Sequence, residues 1–376
     1  MPPVFEPPAR VGQTIHEVDT PALLIDLDAF ERNLATLPRA LATLAHPIKV
    51  RNHAKTHKSP EIARRQIAAG AVGVCCQKVA EAEVLVQGGV RDVLISNEVV
   101  GATKLARLAQ LAGQARLGIC VDAIEQINAL AEATQAAGTS IDVYVEIDVG
   151  AQRCGVVPGR AALVLAQAIV AQPSLRFKGL QAYHGPAQHE RTIEARQARI
   201  ARAIAAARMT RDLIRSAGID CPEVMGAGSG SFMFEAASGV YTEIQPGSYI
   251  FMDVDYAKNA WTAPQPTFEH ALFVLATVMS RPTAQRLVLD TGLKALSVDS
   301  GLPRVWQREG VHFTKISDEH GVCDIDAGVS APALGEKIQL IPGHCDPTVN
   351  LYDWYVCVRG GVVEAVWPIL ARGAFY

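Results

Sequence analysis

The chain has 376 residues, 49% of them apolar and 19% charged, with 35 basic against 38 acidic side chains. That is enough apolar sequence for a sizeable core, which excludes wholesale disorder, and the length points to two domains or one large barrel with an appendage. No long basic run marks a nucleic-acid-coating protein, and the longest apolar stretches, such as Ala161 to Val170, are interrupted well short of the ~18 residues a membrane span needs.

In chain order, the opening Met1-Pro2-Pro3-Val4-Phe5-Glu6 lacks a basic stretch followed by an apolar core, so no secretory signal is expected. A first strand is predicted at Ala22 to Leu27. Short β-branched runs then recur near 48–53, 72–76, 92–96, 117–121, 142–149, 177–184, 223–228 and 242–252. Between them lie Ala-, Leu-, Glu- and Gln-rich stretches of helical spacing. Examples are Ala123 to Ala137, with Ile124, Ile127, Leu130 and Ala131 on one face, and Gly159 to Ala171, bracketed by Pro158 and Pro173. Eight strands alternating with helices suit an α/β fold, a TIM-like (β/α)8 barrel; a doubly wound sheet is the structural alternative, because periodicity does not show closure. After about residue 265 helical periodicity gives way to closely spaced strands separated by turn signals such as Arg281-Pro282 and Gly360-Gly361. The expected organisation is a barrel over 28–265 and an all-β domain built from 266–376 together with 1–27. The eight cysteines are scattered, only Cys75 and Cys76 adjoining, with neither zinc-knuckle nor disulfide-framework spacing. They read as buried, reduced thiols of a cytoplasmic protein, Cys154 included.

In such a barrel the chemistry sits at the C-terminal ends of the strands. The first of them ends in Arg51-Asn52-His53-Ala54-Lys55-Thr56-His57-Lys58. Desolvation and neighbouring cations there would lower the Lys55 pKa and make its amine nucleophilic; a solvated basic loop is the plainer reading. The seventh ends in Gly226-Ala227-Gly228-Ser229-Gly230-Ser231, a Gly/Ser loop where barrels often hold phosphate, although such loops are more often simple turns. The fifth leads to Arg153, the sixth to Tyr183 and His184, the eighth to Gln245. Together they suggest a site for a phosphorylated aromatic cofactor. In the β-domain, His344 and Asp346 lie two apart in Gly343-His344-Cys345-Asp346-Pro347. In an extended segment they would share a face and could clamp one divalent cation through N and O ligands, with Cys345 turned away; a surface turn with a coincidental histidine is the alternative.

These segments together resemble the fold-type III pyridoxal-phosphate enzymes, the alanine-racemase-like barrels with a C-terminal β-domain, and within them the D-threonine aldolase and D-serine dehydratase group. The resemblance runs from Asp19-Thr20-Pro21-Ala22 through the Lys55 segment and Gly228-Ser229-Gly230. It continues through Asp290-x-Gly292-x-Lys294-Ala295-Leu296-Ser297 and Glu319-His320-Gly321 to Pro342-Gly343-His344-Cys345-Asp346-Pro347-Thr348-Val349-Asn350. It implies that Lys55 forms a Schiff base with pyridoxal 5'-phosphate and that Gly228, Ser229 and Gly230 hold the phosphate. Gln245 then stands where racemases of this fold place an arginine against the pyridine nitrogen. Dehydratases of the group carry His-x-Cys and favour zinc, whereas aldolases carry His-x-Asp. Asp346 therefore points to an aldolase, with manganese first among Mn, Mg, Co, Ni and Zn.

The implied reaction is retro-aldol cleavage of D-threonine and other D-β-hydroxy-α-amino acids to glycine plus an aldehyde. The cation on His344 and Asp346 would take the substrate hydroxyl, and a metal-bound water, His189 or Lys55 would accept its proton. Arg153 would pair with the cofactor's ring hydroxyl or the substrate carboxylate, and Tyr183 or His184 would pack on the ring. The alternatives are a β-eliminating dehydratase acting on D-serine or D-threo-3-hydroxyaspartate, and a non-catalytic cofactor carrier; racemase activity ranks below both, for want of an identifiable tyrosine base, although Tyr352 and Tyr355 are near the metal segment. His53 and His57 could tune Lys55, reach the phosphate or sit in solvent, and His320 could stand behind the metal. The expected partners are a small D-amino acid and a second copy of the chain in a homodimer, with neither nucleic acid nor membrane.

Overall fold

A computed structural model describes residues 6–263 and 265–376. Residues 1–5, on which the secretory-signal expectation rests, and Pro264 lie outside the described residues. Among the described residues no helix is long and apolar enough to cross a membrane.

Strand β1 (Ala22–Asp26) precedes eight parallel strands: β2 (Lys49–His53), β3 (Gly73–Cys76), β4 (Asp92–Ile95), β5 (Arg116–Val121), β6 (Ile141–Glu146), β7 (Leu175–Gln181), β8 (Glu223–Gly226) and β9 (Glu243–Ile244). These eight pair in sequence order and close, β9 against β2, into a barrel. The α/β barrel reading is thus correct and the open doubly wound sheet is not the fold. Helices Ile124–Ala136 and Arg160–Val170 match the predicted segments to within a residue. The strands are buried on both faces, which is why they read as runs rather than alternations. Val74, Val93, Ile119 and Val143 face outward onto helix residues such as Leu108, Leu130 and Ile169.

Inward-facing side chains stack in layers along the barrel. At the N-terminal end Arg51 pairs with Glu243 at 2.8 Å and Asp92 at 2.5 Å, and Tyr144 donates its hydroxyl to Glu223. Above lies an apolar layer of Cys75, Leu94, Cys120, Tyr144 and Met225. The plug below and the apolar layer above it close the barrel, so polar groups at the C-terminal end meet a cavity rather than a channel.

The remaining strands are β10 (Leu272–Thr283), β11 (Arg286–Leu289), β12 (Arg304–Val305), β13 (Val311–Ile316), β14 (Gly321–Ile325), β15 (Lys337–Ile341), β16 (Trp354–Arg359) and β17 (Val362–Pro368). With β1 they form a nine-stranded sheet whose main path runs β13-β14-β11-β10-β1-β16-β17. β1 pairs antiparallel with β10 and parallel with β16, Leu23 opposite Val274 on one side and Tyr355 on the other. The segment 345–349, read as extended from its sequence, is a short helix with His344 as its N-cap in the β region. Proline at its third position suits a first helical turn, where the missing N–H costs nothing.

Candidate active site

The strand ends of the barrel enclose a cavity of about 140 Å³ walled by His53, Lys55, Thr56, Gln77, Ser96, Arg153, Gln181, Tyr183, Ala227, Gly228, Ser229, Gln245, Gly247, Ser248 and Tyr256. Lys55 follows β2 directly, and the turn Ala54–Lys58 is closed by Lys58 N–H donating to Ala54 O at 2.7 Å. Its Nζ stands 3.3 Å from Oδ2 of Asp346. That contact joins the two domains: the amine comes from the barrel, the carboxylate from the helix at the edge of the β-domain.

The electrostatics differ from the sequence expectation. Neighbouring cations and burial do not hold the Lys55 amine down. The Asp346 carboxylate outweighs burial and the opposing Arg153 charge, and raises Lys55 above its ordinary value. Burial would raise Asp346, but Lys55 and His344 hold it below the usual carboxylate range. His53 is buried and pushed well below its ordinary value by desolvation and by Lys55; its Nε2 faces the Gln77 amide at 2.8 Å. His57 is fully buried, pushed down to about 4 by desolvation, and bonded to Gln66 at 3.2 Å. It is neither a solvated loop residue nor a wall of the cavity.

Gly228 and Ser229 line the cavity, and the Ser229 hydroxyl accepts the backbone N–H of Tyr249 at 2.9 Å. Gly230 does not line it: its N–H is taken by Gln188 Oε1 at 2.9 Å. Close approach explains the glycines. A Cβ on Gly228 would lie 2.6 Å from Gln188 Oε1, and one on Gly247 would lie 2.5 Å from Thr56 Oγ1. Gln245 reaches the cavity but is tied to Gln181 by reciprocal amide bonds of 3.0 Å. Arg153 lines the cavity, sits 5.9 Å over the Tyr183 ring and stands 3.7 Å from Glu146. Of the pair Tyr183 and His184, the tyrosine faces the cavity. His184 turns the other way, its Nδ1 accepting Ala187 N–H at 3.3 Å and its Nε2 packing under Gly150.

His189 stands beside the cavity, its ring 5.5 Å from that of Tyr256, which lines it. Its Nδ1 meets Asp255 Oδ2 at 2.5 Å, and Asp255 also binds Arg191. His344 pairs through Nδ1 with Asp299 Oδ2 at 2.7 Å. Burial acts to lower the His344 pKa, but Asp346, Asp299 and Asp253 together raise it above its ordinary value. Asp253 is fully buried and holds the helix start, accepting the N–H of Tyr256 at 2.9 Å and of Cys345 at 3.0 Å.

Two observations test whether added groups fit. Asp346 Oδ1 and Thr56 Oγ1 are buried without a hydrogen bond of ordinary geometry, and the Thr56 hydroxyl is close enough to help hold the Asp346 carboxyl low, so both keep capacity for an added group. His344 and Asp346 offer the N and O donors that suit a divalent cation of the Mn, Zn or Mg kind. Among the described residues, the one group of three or more such side chains with ligand atoms all within 4.8 Å is a different one, Glu98, Asp122 and Cys154. It surrounds Glu146, whose pKa burial and the Glu98 carboxylate push up to about 8. Cys154 is thus partly exposed among acids, not a buried apolar filler. The other seven thiols are buried.

Tyr352 and Tyr355 are committed elsewhere, donating to Ala295 O and His57 O at 2.7 Å each, so neither serves the cavity as a base. His320 lies exposed in the turn joining β13 to β14. The sequence reading missed Asp253, Asp255, Asp299, Glu146 and Tyr256. The alternation Asp253-Val254-Asp255 just beyond the last barrel strand was the available signal, since residues there border the barrel mouth.

The alanine racemase N-terminal domain model matches residues 25–255, and the putative serine dehydratase domain model matches residues 271–358. The chain is 50% identical to D-threonine aldolase of Arthrobacter sp. over 369 residues, covering 98% of this chain and 96% of that one. It is 45% identical to 3-hydroxy-D-aspartate aldolase of Paracoccus denitrificans over 378 residues, 99% and 97% of the two chains. The crystal structure of D-threonine aldolase from Filomicrobium marinum superposes with a TM-score of 0.96 at 52% identity, covering 99% of this chain and 100% of that one.

Proposed function

The chain belongs to the alanine-racemase-type barrel family, alongside D-threonine aldolase, and we propose on that footing that it cleaves D-threonine and related D-β-hydroxy-α-amino acids to glycine and an aldehyde. It is a pyridoxal-phosphate enzyme of the lyase class. The observation that supports the site assignment is the 3.3 Å approach of Lys55 Nζ to Asp346, which brings a cavity-lining amine of the barrel against a buried carboxylate of the second domain.

In this reading Lys55 holds pyridoxal phosphate covalently, and Gly228, Ser229 and the Thr56 hydroxyl receive its phosphate. The cofactor supplies an electron sink for the pair left on Cα when the Cα–Cβ bond breaks. A divalent cation on His344 and Asp346, manganese first, supplies Lewis acidity toward the substrate β-hydroxyl. Arg153, set over the Tyr183 ring, binds an anionic oxygen at the cavity wall. His189 accepts the hydroxyl proton at Nε2, because Asp255 engages its Nδ1 and thereby sets the tautomer. Lys55 Nζ, released from the cofactor when the substrate amine takes its place, would then give a proton to Cα and take its place on the cofactor again as glycine leaves. Eight unpaired thiols support a reducing, cytoplasmic setting. The assembly in this proposal is a homodimer.

The test is a product assay on purified protein with pyridoxal phosphate, Mn²⁺ and D-threonine, with EDTA and L-threonine controls. Glycine plus acetaldehyde, lost with EDTA, absent with L-threonine and abolished in Lys55→Ala, is the expected result. 2-Oxobutyrate plus ammonia would move the assignment to a dehydratase, and full activity in His344→Ala would remove the cation from His344.

A further inference from the structure

The loop after β11 is built against the His344 turn. Gly343 comes so close that a Cβ on it would lie 2.1 Å from Gly301 O. Ser297 N–H donates to Thr348 Oγ1 at 3.3 Å, and Thr348 Oγ1 donates to His344 O at 2.8 Å. Between these ties Asp299 is held by the hydroxyls of Ser297 at 2.8 Å and Ser300 at 3.2 Å, and its Oδ2 meets His344 Nδ1 at 2.7 Å. A neutral imidazole that gives its Nδ1 proton to a carboxylate has its lone pair on Nε2 alone. The same bond fixes the rotation of the ring.

We propose that Asp299 is the positioning residue of the cation site: it commits His344 to the tautomer that ligates through Nε2, without itself touching the cation. The inference rests on the cation reading of His344 and Asp346 given above. It assigns the loop 297–301 a task that its distance in sequence from the ligands does not suggest. It also separates two carboxylates of the same charge. Asp346 keeps a buried oxygen with no hydrogen bond of ordinary geometry, turns its other oxygen to Lys55 and acts as a ligand, whereas Asp299 spends its oxygens on His344 and two serines.

The test is Mn²⁺ uptake by the cofactor-loaded enzyme, followed by the electron paramagnetic resonance signal of free Mn²⁺, for wild type, Asp299→Ala, Asp299→Asn and His344→Ala. Asp299→Ala is expected to bind Mn²⁺ about 10- to 100-fold more weakly. Asp299→Asn keeps an oxygen that accepts from Nδ1–H and is expected to stay within about 5-fold of wild type on the same grounds. The visible absorbance of bound cofactor should be the same in all four. Asp299→Ser, too short to reach Nδ1, replaces Asp299→Ala if that variant does not fold. Wild-type affinity in Asp299→Ala would overturn the proposal, as would an equal loss in Asp299→Asn, which would make Asp299 a ligand. A wild-type enzyme that takes up Mn²⁺ no better than His344→Ala would instead overturn the cation reading, and this inference with it.

Discussion

Gly228→Ala probes how tightly the cofactor loop is built. The added Cβ would lie 2.6 Å from Gln188 Oε1 and 2.8 Å from its Cδ, where ordinary contact begins at 3.4 Å. Gln188 cannot swing aside. It is fully buried, its Nε2 donates to His184 O at 3.2 Å and Ser231 Oγ at 2.7 Å, and its Oε1 holds Gly230 N–H. The overlap is therefore relieved by the loop, which shifts toward the cavity. Overpacking of this kind costs about 1–3 kcal/mol. If returning the loop to receive the phosphate costs that much, cofactor affinity falls by roughly 5- to 150-fold, at about 1.4 kcal/mol per decade. The assay is absorbance titration of the apoenzyme with pyridoxal phosphate. Adding Gln188→Ala removes the obstruction, so Gly228→Ala should cost far less in that background than in wild type. Unchanged affinity in the single variant, or an equal cost in both backgrounds, would refute the reasoning.

Asp255→Asn should lower kcat by about 10²-fold with Mn²⁺ and cofactor binding unchanged, because an amide can donate to Nδ1 and, with no cation to keep Nε2 bare as on His344, move the His189 proton to the wrong nitrogen; an unaltered kcat would remove His189 as the base. Arg51→Met leaves Glu243, 1% exposed, buried without its partner, and urea denaturation should report a loss of about 3–5 kcal/mol, partly restored by adding Glu243→Gln. A loss below about 1 kcal/mol would contradict that account. Burial holds His57 and His270 down to about 4, whereas in the unfolded chain they titrate near 6.5. At these two sites the unfolded state therefore binds more protons between those values, so their contribution to stability is full above about pH 6.5 and is lost as the pH drops toward 4, while Glu146, raised to about 8, and Glu235, raised to about 7, act in the opposite direction. Melting temperatures should therefore show His57→Gln losing less stability, relative to wild type, at pH 4.5 than at pH 7.

The barrel was legible because its strands are buried on both faces and its helices on one, so period and burial coincide over most of 48–244. The eighth strand was drawn too long. Pro246 and Gly247 end it after Ile244, and the chain then turns through Ser248–Ile250 to line the cavity, although its residues remain apolar. Lys55, Arg153, Tyr183, Gly228, Ser229 and Gln245 were readable from their position after strand ends, and the cavity gathers all six. His184 and Gly230 share that position, but one strand residue in two points inward and one loop N–H was already taken. What the sequence withheld were the pairings that closure creates. Asp255 reaches His189 across 66 residues and Asp299 reaches His344 across 45, and no local spacing signals either. The His344 turn was misread as extended because residues two apart share a face in a strand, whereas here the N-cap geometry of a short helix keeps both near the site.

The place of β1 in the sheet has a consequence for the order in which the molecule can be completed. Strand β1 is hydrogen-bonded on both sides by strands that follow the whole barrel in sequence, β10 from residue 272 and β16 from residue 354. During synthesis the barrel can close while Ala22–Asp26 waits with two bare edges and four fully buried apolar side chains still exposed. A nascent chain stalled before residue 272 would carry that strand with neither of its neighbours. The same wiring sets a quality gate on the enzyme: the second edge of β1 is paired only by β16, so it closes only after the segment bearing His344 and Asp346 has been made.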